Sequence, residues 1–142
     1  MANILILGAG AMGTAFSFPC SDKDHSVTII GTHLENNFID QINLTRVHPI
    51  LECEVPKKVT FLKLEKLAEQ ISSKRKVDLI VVAVISKGIE WASTEISKVV
   101  TPGKHHLEFN YGGNKVYAHN DASYSNCSNI TASGNYNLSA NI

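Results

Sequence analysis

The chain has 142 residues, and its hydrophobic fraction of 44% is enough for one domain with a buried core, which excludes global disorder. Its 13 Lys and Arg residues balance 13 Asp and Glu residues, so the net charge gives no basis for binding nucleic acid or an anionic membrane. The longest apolar run, residues 77–85, is too short to span a bilayer, and three cysteines without metal or CxxC spacing favour a cytoplasmic location.

Residues 1–100 alternate between short apolar runs and segments whose apolar residues have helical spacing. In chain order this pattern predicts a strand at 3–7, a helix at 10–22, a strand at 27–30, a helix at 34–43, a strand at 59–62, a helix at 64–71, a strand at 77–84 and a helix at 88–100. Strands that alternate with helices form parallel sheets with right-handed crossovers. The predicted fold class is therefore α/β, an incomplete Rossmann-type doubly wound, mostly parallel sheet with its first strand central and the strand order 3-2-1-4.

Asp24 follows the first predicted helix, where the chain turns back towards the second strand. Such turns usually take glycine, because the backbone φ angle is positive there. We expect Asp24 to adopt this conformation, which Asp tolerates better than most residues but at a cost in stability.

Residues 101–142 differ in composition from the first 100 residues. They contain eight Asn and five Ser, and their hydrophobic residues are scattered singly. We predict an irregular tail with the composition of a disordered segment at 101–142, after one ordered domain at 1–100.

The first predicted strand runs directly into Gly8-Ala9-Gly10-Ala11-Met12-Gly13, a GxGxxG motif that opens the first helix. Gly8 permits the tight turn out of the strand, Gly10 lets a pyrophosphate approach the backbone, and Gly13 lets the helix pack closely on the strand. The helix N-terminus offers free N–H groups and a partial positive charge to the phosphates. We therefore predict that residues 1–100 are a dinucleotide-binding domain and that these six residues bind the cofactor. A purely structural glycine turn is the alternative.

The second predicted strand ends in Ile30-Gly31-Thr32-His33, without the carboxylate that usually accepts the ribose hydroxyls of NAD. Glu35 is expected to lie too far along the chain for this role. Thr32 is predicted to hydrogen-bond a ribose hydroxyl or a 2′-phosphate, and His33 to add positive charge if protonated. Because no acid repels a 2′-phosphate, the cofactor is NAD or NADP, with a mild preference for NADP. Thr32 and His33 as ordinary loop residues are the alternative.

Three segments resemble the N-terminal domain of NAD(P)-dependent glycerol-3-phosphate dehydrogenase: residues 6–15 (ILGAGAMGTA), 25–32 (HSVTIIGT) and 77–84 (VDLIVVAV). The resemblance spans residues 2–100, about 70% of the chain. It implies a cofactor role for Ser86, in the loop after the fourth strand. Four features resemble the archaeal-type branch of this family: Ala11-Met12, Pro19, Gly31-Thr32 and His48-Pro49.

The resemblance implies an oxidoreductase of glycerophospholipid metabolism, which moves hydride between nicotinamide C4 and C2 of dihydroxyacetone phosphate or glycerol 3-phosphate. A second, helical domain of the family supplies the acid–base lysine. Because the sequence departs from the family after about residue 100, we expect a truncated or frame-altered chain that lacks this domain and is inactive alone. Lys104 lies near the position of another family lysine, but the sequence around it departs from the family, so we assign no catalytic residue. No metal ligands are predicted.

The expected partners are a nicotinamide dinucleotide and, in full-length family members, a small phosphorylated substrate, with no nucleic acid and no membrane. Two other interpretations remain open: a non-catalytic dinucleotide-binding module and a non-functional gene fragment.

Overall fold

The computed structural model describes residues 1–72 and 76–100, and two further strands at 105–111 and 114–120. The chain divides into two compact units, Met1–Val99 and Val100–Ile142. In chain order the elements of the first unit are β1 (Asn3–Leu7), α1 (Ala11–Asp22), β2 (Ser26–Ile30), α2 (Asn36–Thr45), β3 (Val47–His48), β4 (Cys53–Glu54), β5 (Thr60–Leu62), α3 (Leu67–Ile71), β6 (Leu79–Val82) and α4 (Ile89–Ser97). Single turns of 3-10 helix, Leu64–Lys66 and Ser86–Gly88, precede α3 and α4.

Four strands of the first unit form one parallel sheet in the order β5-β2-β1-β6. Leu5 of β1 lies opposite Thr28 of β2 on one side and opposite Ile80 of β6 on the other. This is the predicted order 3-2-1-4 with the first strand central, so the predicted Rossmann-type α/β fold is confirmed. Each predicted strand and helix of residues 1–100 is present, with its ends shifted by a few residues.

The central strands are covered by helices on both faces of the sheet. Ile4 and Ile6 of β1 belong to a buried cluster that includes Ile39 of α2. Leu5 points to the opposite face, where it lines a small cleft together with Gln70 of α3. Burial on both faces explains why β1 is a continuous apolar run. None of the helices that the structure describes is long and apolar enough to cross a membrane.

A short antiparallel pair, β3 and β4, lies between α2 and β5, with His48 opposite Cys53. Periodicity did not predict this pair, because two-residue strands are too short to show an alternation. Arg46 ends α2 with a φ of 58°, and its guanidinium donates hydrogen bonds to the carbonyl oxygens of Pro56 (2.6 Å) and Val59 (3.0 Å). These hydrogen bonds connect the two ends of the segment that contains β3 and β4.

The second unit contains an antiparallel pair, β7 (His105–Tyr111) and β8 (Asn114–Asn120), with Phe109 opposite Val116. These two strands lie within residues 101–142, for which the sequence predicted an irregular tail. The sequence signals for them are the alternation of apolar and polar residues in LEFNY and the two glycines, Gly112-Gly113, between the strands, since two-residue glycine connections favour tight hairpin turns. The rest of the predicted tail lies outside the described residues.

Asp24 follows α1 with a φ of 58°, as the sequence predicted. Its carboxylate lies 2.6 Å from Nζ of Lys58, and the hydrogen bond and positive charge of Lys58 lower the pKa of the Asp24 carboxyl. Both side chains are largely exposed to solvent. An ion pair of this kind contributes little to stability, so the left-handed backbone conformation is the larger effect at this turn.

We expect Asp24→Gly to raise the Tm of the chain by about 2–5 °C, because glycine adopts a positive φ without strain. Thermal unfolding followed by circular dichroism measures this shift. Asp24→Asn is the matched control, since Asn tolerates positive φ as Asp does but cannot pair with Lys58; its Tm should stay within about 1 °C of wild type. A lower Tm for Asp24→Gly would show that the ion pair outweighs the backbone strain.

Candidate functional site

The carboxyl ends of three neighbouring strands meet at one edge of the sheet, called here the carboxyl edge. The N–H of Gly8, directly after β1, donates to the carbonyl oxygen of Ile30 at the end of β2 (2.8 Å). The N–H of Ala83, directly after β6, donates to the carbonyl oxygen of Leu7 at the end of β1 (2.8 Å). The glycine loop, residues 8–13, therefore leaves the sheet between two strands whose connections diverge, which is where open α/β sheets bind ligands.

Two glycines allow the backbone to pack tightly at this edge. Gly8 has a φ of +112°, and a Cβ atom on it would overlap the carbonyl oxygen of Ala83. A Cβ atom on Gly13 would overlap the carbonyl oxygen of Gly8 and lie 2.9 Å from Cβ of Ala83. Because backbone atoms cause both overlaps, no change of rotamer relieves them. Gly8 and Gly13 thus make the tight turn and the close helix packing that the motif predicts.

Gly10 differs from these two glycines, because the space around it is open. It is the N-cap of α1 with φ −64° and ψ −179°, and apart from its neighbours in the chain no heavy atom of the described residues lies within 4 Å of a Cβ atom built there. Any residue can adopt this extended backbone, so the fold does not require glycine at this position. Beside it the first turn of α1 begins with Ala11 and the exposed Met12. The first N–H groups of a helix have no partner within the helix, so they are available to an anion.

Glu35 lies at the same edge, where sequence reasoning did not place it. Its Oε2 atom accepts hydrogen bonds from the N–H of Thr32 (2.7 Å) and the N–H of Ala9 (3.1 Å). Glu35 reaches this edge because a turn in which its own N–H donates to the carbonyl oxygen of Thr32 (3.0 Å) folds the chain back before α2 begins. Its Oε1 atom accepts no hydrogen bond from the described residues. The sequence signal that could have indicated Glu35 is its spacing, because a carboxylate about 20 residues after the glycine motif is typical of dinucleotide-binding sites.

His33 and Ser86 lie on opposite sides of the end of β1. The exposed ring of His33, after β2, is 4.8 Å from the ring of Trp91 in α4, with 54° between the ring planes. No sequence motif indicates Trp91 as part of this region. Ser86 is exposed in the turn after β6, and its side chain forms no hydrogen bond with the described residues. The structure thus connects Ala9 and Thr32 through the carboxylate of Glu35, and it places His33 against Trp91. Ser86 lies at the same edge but bonds to none of these residues.

His48 is a second residue that no functional motif indicates. It is fully buried, and its Nε2 atom lies 3.2 Å from the carbonyl oxygen of Ala9 in the glycine loop. Lys104, which lies near the position of a family lysine, is outside the described residues. Among the residues that are described, no group of three or more His, Cys, Asp or Glu side chains is arranged to hold a metal ion.

Comparison with known proteins gives a consistent set of relatives. The family described as NAD-dependent glycerol-3-phosphate dehydrogenase N-terminus matches residues 3–113. A glycerol-3-phosphate dehydrogenase (NAD(P)+) of Exiguobacterium sp. is 29% identical over 101 residues, which are 71% of this chain and 28% of that protein. An NADP(+)-dependent glycerol-3-phosphate dehydrogenase of Archaeoglobus fulgidus is 44% identical over 48 residues, 34% of this chain and 14% of that protein. The chain thus spans 28% or less of the length of these two relatives.

Among solved structures, the crystal structure of RSP, a Rex-family repressor, aligns with a TM-score of 0.48 at 15% identity. The alignment covers 70% of this chain and 41% of that chain.

The contrast between Gly13 and Gly10 predicts stability losses of different size. Gly13→Ala should lower the free energy of unfolding by about 1–3 kcal/mol, because the new Cβ meets the backbone of Gly8. Gly10→Val should cost no more than about 1 kcal/mol, since the space around a Cβ atom at this position is open and the main loss is the N-cap preference. Urea unfolding of both variants measures the difference, and equal losses would contradict this assignment of roles.

Proposed function

Because the chain belongs to the NAD-dependent glycerol-3-phosphate dehydrogenase N-terminus family, we propose that it binds a nicotinamide dinucleotide at the carboxyl edge of its sheet. The supporting observation is that the fold needs Gly8 and Gly13 but leaves open space at Gly10. A ligand that occupies this space accounts for a glycine that the fold does not require. A pyrophosphate fits there, because the N–H groups and the dipole of α1 stabilise its negative charge.

The adenosine half of the cofactor is proposed to lie across the ends of β1 and β2. Ribose hydroxyls would donate to Oε1 of Glu35, whose other oxygen is already held by two backbone N–H groups. Thr32 and His33 border this position, with Trp91 against the His33 ring. Ser86 is proposed to contact the cofactor from the turn after β6.

Glu35 changes the expected choice between the two cofactors. The sequence favoured NADP mildly because no acid was expected beside the ribose. With the carboxylate of Glu35 held at the end of β2, a 2′-phosphate would bring like charges close together, which disfavours NADP. We therefore propose that this site prefers NAD.

For the whole protein we propose the reaction named for its relatives, the exchange of hydride between the nicotinamide and glycerol 3-phosphate or dihydroxyacetone phosphate. The residues described here would supply the cofactor half of this chemistry, by holding the dinucleotide in a fixed position for transfer. Oxidation of NADH that depends on dihydroxyacetone phosphate measures this activity.

Gly10→Val should weaken NAD binding at least about tenfold, or about 1.4 kcal/mol, because a branched side chain fills the proposed pyrophosphate position. Titration calorimetry measures the Kd, and the fluorescence of Trp91, the one tryptophan of the chain, gives a second reading. Ala15→Val is the matched control, since it adds the same side chain to an exposed position of α1 and should leave the Kd unchanged. Unchanged affinity in Gly10→Val with an intact fold would remove the glycine loop from the site.

Glu35→Gln should raise the affinity for NADP relative to NAD about tenfold, because it removes the charge that repels a 2′-phosphate. Glutamine still offers an oxygen to the N–H groups of Ala9 and Thr32, so the loop should keep its conformation. The Kd values of both cofactors are compared with those of Glu54→Gln, a charge-matched change at an exposed position of β4. If the two affinities change by the same factor, Glu35 does not discriminate between the cofactors.

A further inference from the structure

His48 connects the short β3–β4 pair to the glycine loop. Its side chain has no exposed surface, and its ring packs edge-on against Phe38 of α2 with 5.0 Å between the ring centres. A buried imidazole needs partners for both ring nitrogens, because an unpaired buried polar group is costly. His48 has partners on both sides.

The hydrogen bonds define one tautomer of this ring. Nδ1 accepts hydrogen bonds from two backbone N–H groups of the following turn, those of Ile50 (3.3 Å) and Leu51 (3.1 Å). Since Nδ1 is an acceptor, the proton of the neutral ring lies on Nε2. Nε2 therefore donates to the carbonyl oxygen of Ala9, at 3.2 Å.

Ala9 is held on both sides of its backbone. Its N–H donates to Glu35, and its carbonyl oxygen accepts from Nε2 of His48 and from the hydroxyl of Thr14 (3.1 Å). The next residue is Gly10, which carries no side chain to restrict its own torsions. The peptide between Ala9 and Gly10 is thus oriented by these partners rather than by Gly10.

The β3–β4 pair gives His48 a rigid base. The N–H of Glu52 donates to the carbonyl oxygen of His48 (2.8 Å), and the N–H of Val55 donates to the carbonyl oxygen of Arg46 (2.8 Å). The guanidinium of Arg46 in turn bonds the segment that leads into β5. A donor on such a base can fix the orientation of the peptide that it contacts.

We propose that His48 is a positioning residue for the dinucleotide site, which acts through the Ala9 carbonyl and does not touch the cofactor. The bond from Nε2 holds the glycine loop in the conformation that receives a pyrophosphate. Because the loop is already ordered in the free protein, binding does not have to supply the free energy that orders it. This role in binding rests on the proposed nucleotide function, whereas the effect on the loop does not.

Two substitutions separate the donor function of Nε2 from the acceptor function of Nδ1. His48→Gln places an amide N–H near the position of Nε2 and keeps a donor for Ala9, while His48→Asn keeps an acceptor near Nδ1 for the following turn and loses that donor. Both lose the ring that packs on Phe38, so both are less stable than wild type. We expect His48→Asn to raise the Kd for NAD about tenfold, and His48→Gln to raise it by less than about threefold.

A second measurement needs no ligand. Amide hydrogen exchange of Gly8, Ala9 and Thr14 in the free protein should be at least about fivefold faster in His48→Asn than in His48→Gln, with the amides of β2 as the internal reference. Leu67→Ala, at a buried position of α3 away from the β3–β4 pair, is the control for general destabilisation and should leave the Kd unchanged.

Three outcomes would overturn the proposal: equal exchange rates at the loop in the two His48 variants, equal Kd values in them, or a loss of affinity in Leu67→Ala equal to that in His48→Asn. If wild type binds no dinucleotide, the proposed function fails, and the exchange comparison still decides whether His48 orients the loop.

Discussion

The close approach of α1 to the end of β1 is the constraint on which the rest of the structure depends. Gly8 turns the chain at positive φ against the backbone of Ala83, and Gly13 packs directly on the carbonyl of Gly8. A side chain at either position would push α1 away from the sheet and open the junction of β1 with β6. The same contacts place the N-terminus of α1 over the carboxyl edge, so the packing of the fold also positions the candidate site.

The polar groups of Ala9 are the second part of this arrangement. Ala9 is fully buried within the main hydrophobic cluster, and an unpaired peptide group there would cost about 1–3 kcal/mol. Its partners come from three parts of the fold: Glu35 before α2, His48 in β3 and Thr14 in α1. The loop beside the open space at Gly10 is therefore held from several directions in the free chain, as the proposed dinucleotide site would require.

Two of the three described non-glycine residues with positive φ lie beside the segments that support this loop. Arg46 and Glu52, which flank His48, have φ angles of 58° and 51°. Non-glycine residues keep such angles only where surrounding contacts hold them. The guanidinium bonds of Arg46 and the bond from the N–H of Glu52 to His48 provide those contacts. The strained turn thus presents His48 to Ala9 in one orientation.

The sequence by itself determined the order of the elements, the central place of β1 and the roles of Gly8 and Gly13, because apolar periodicity and glycine spacing act between near neighbours in the chain. Only the tertiary structure decided the position of Glu35, which depends on how one turn folds back across the end of β2. It also decided the partner of His48, the Ala9 carbonyl, which lies 39 residues away in the glycine loop. It also decided the pairing of β7 with β8, although their alternation was present in the sequence. The physical reason is that a hydrogen bond to Ala9 depends on the position and direction of groups from separate elements, and these are set only when those elements pack together.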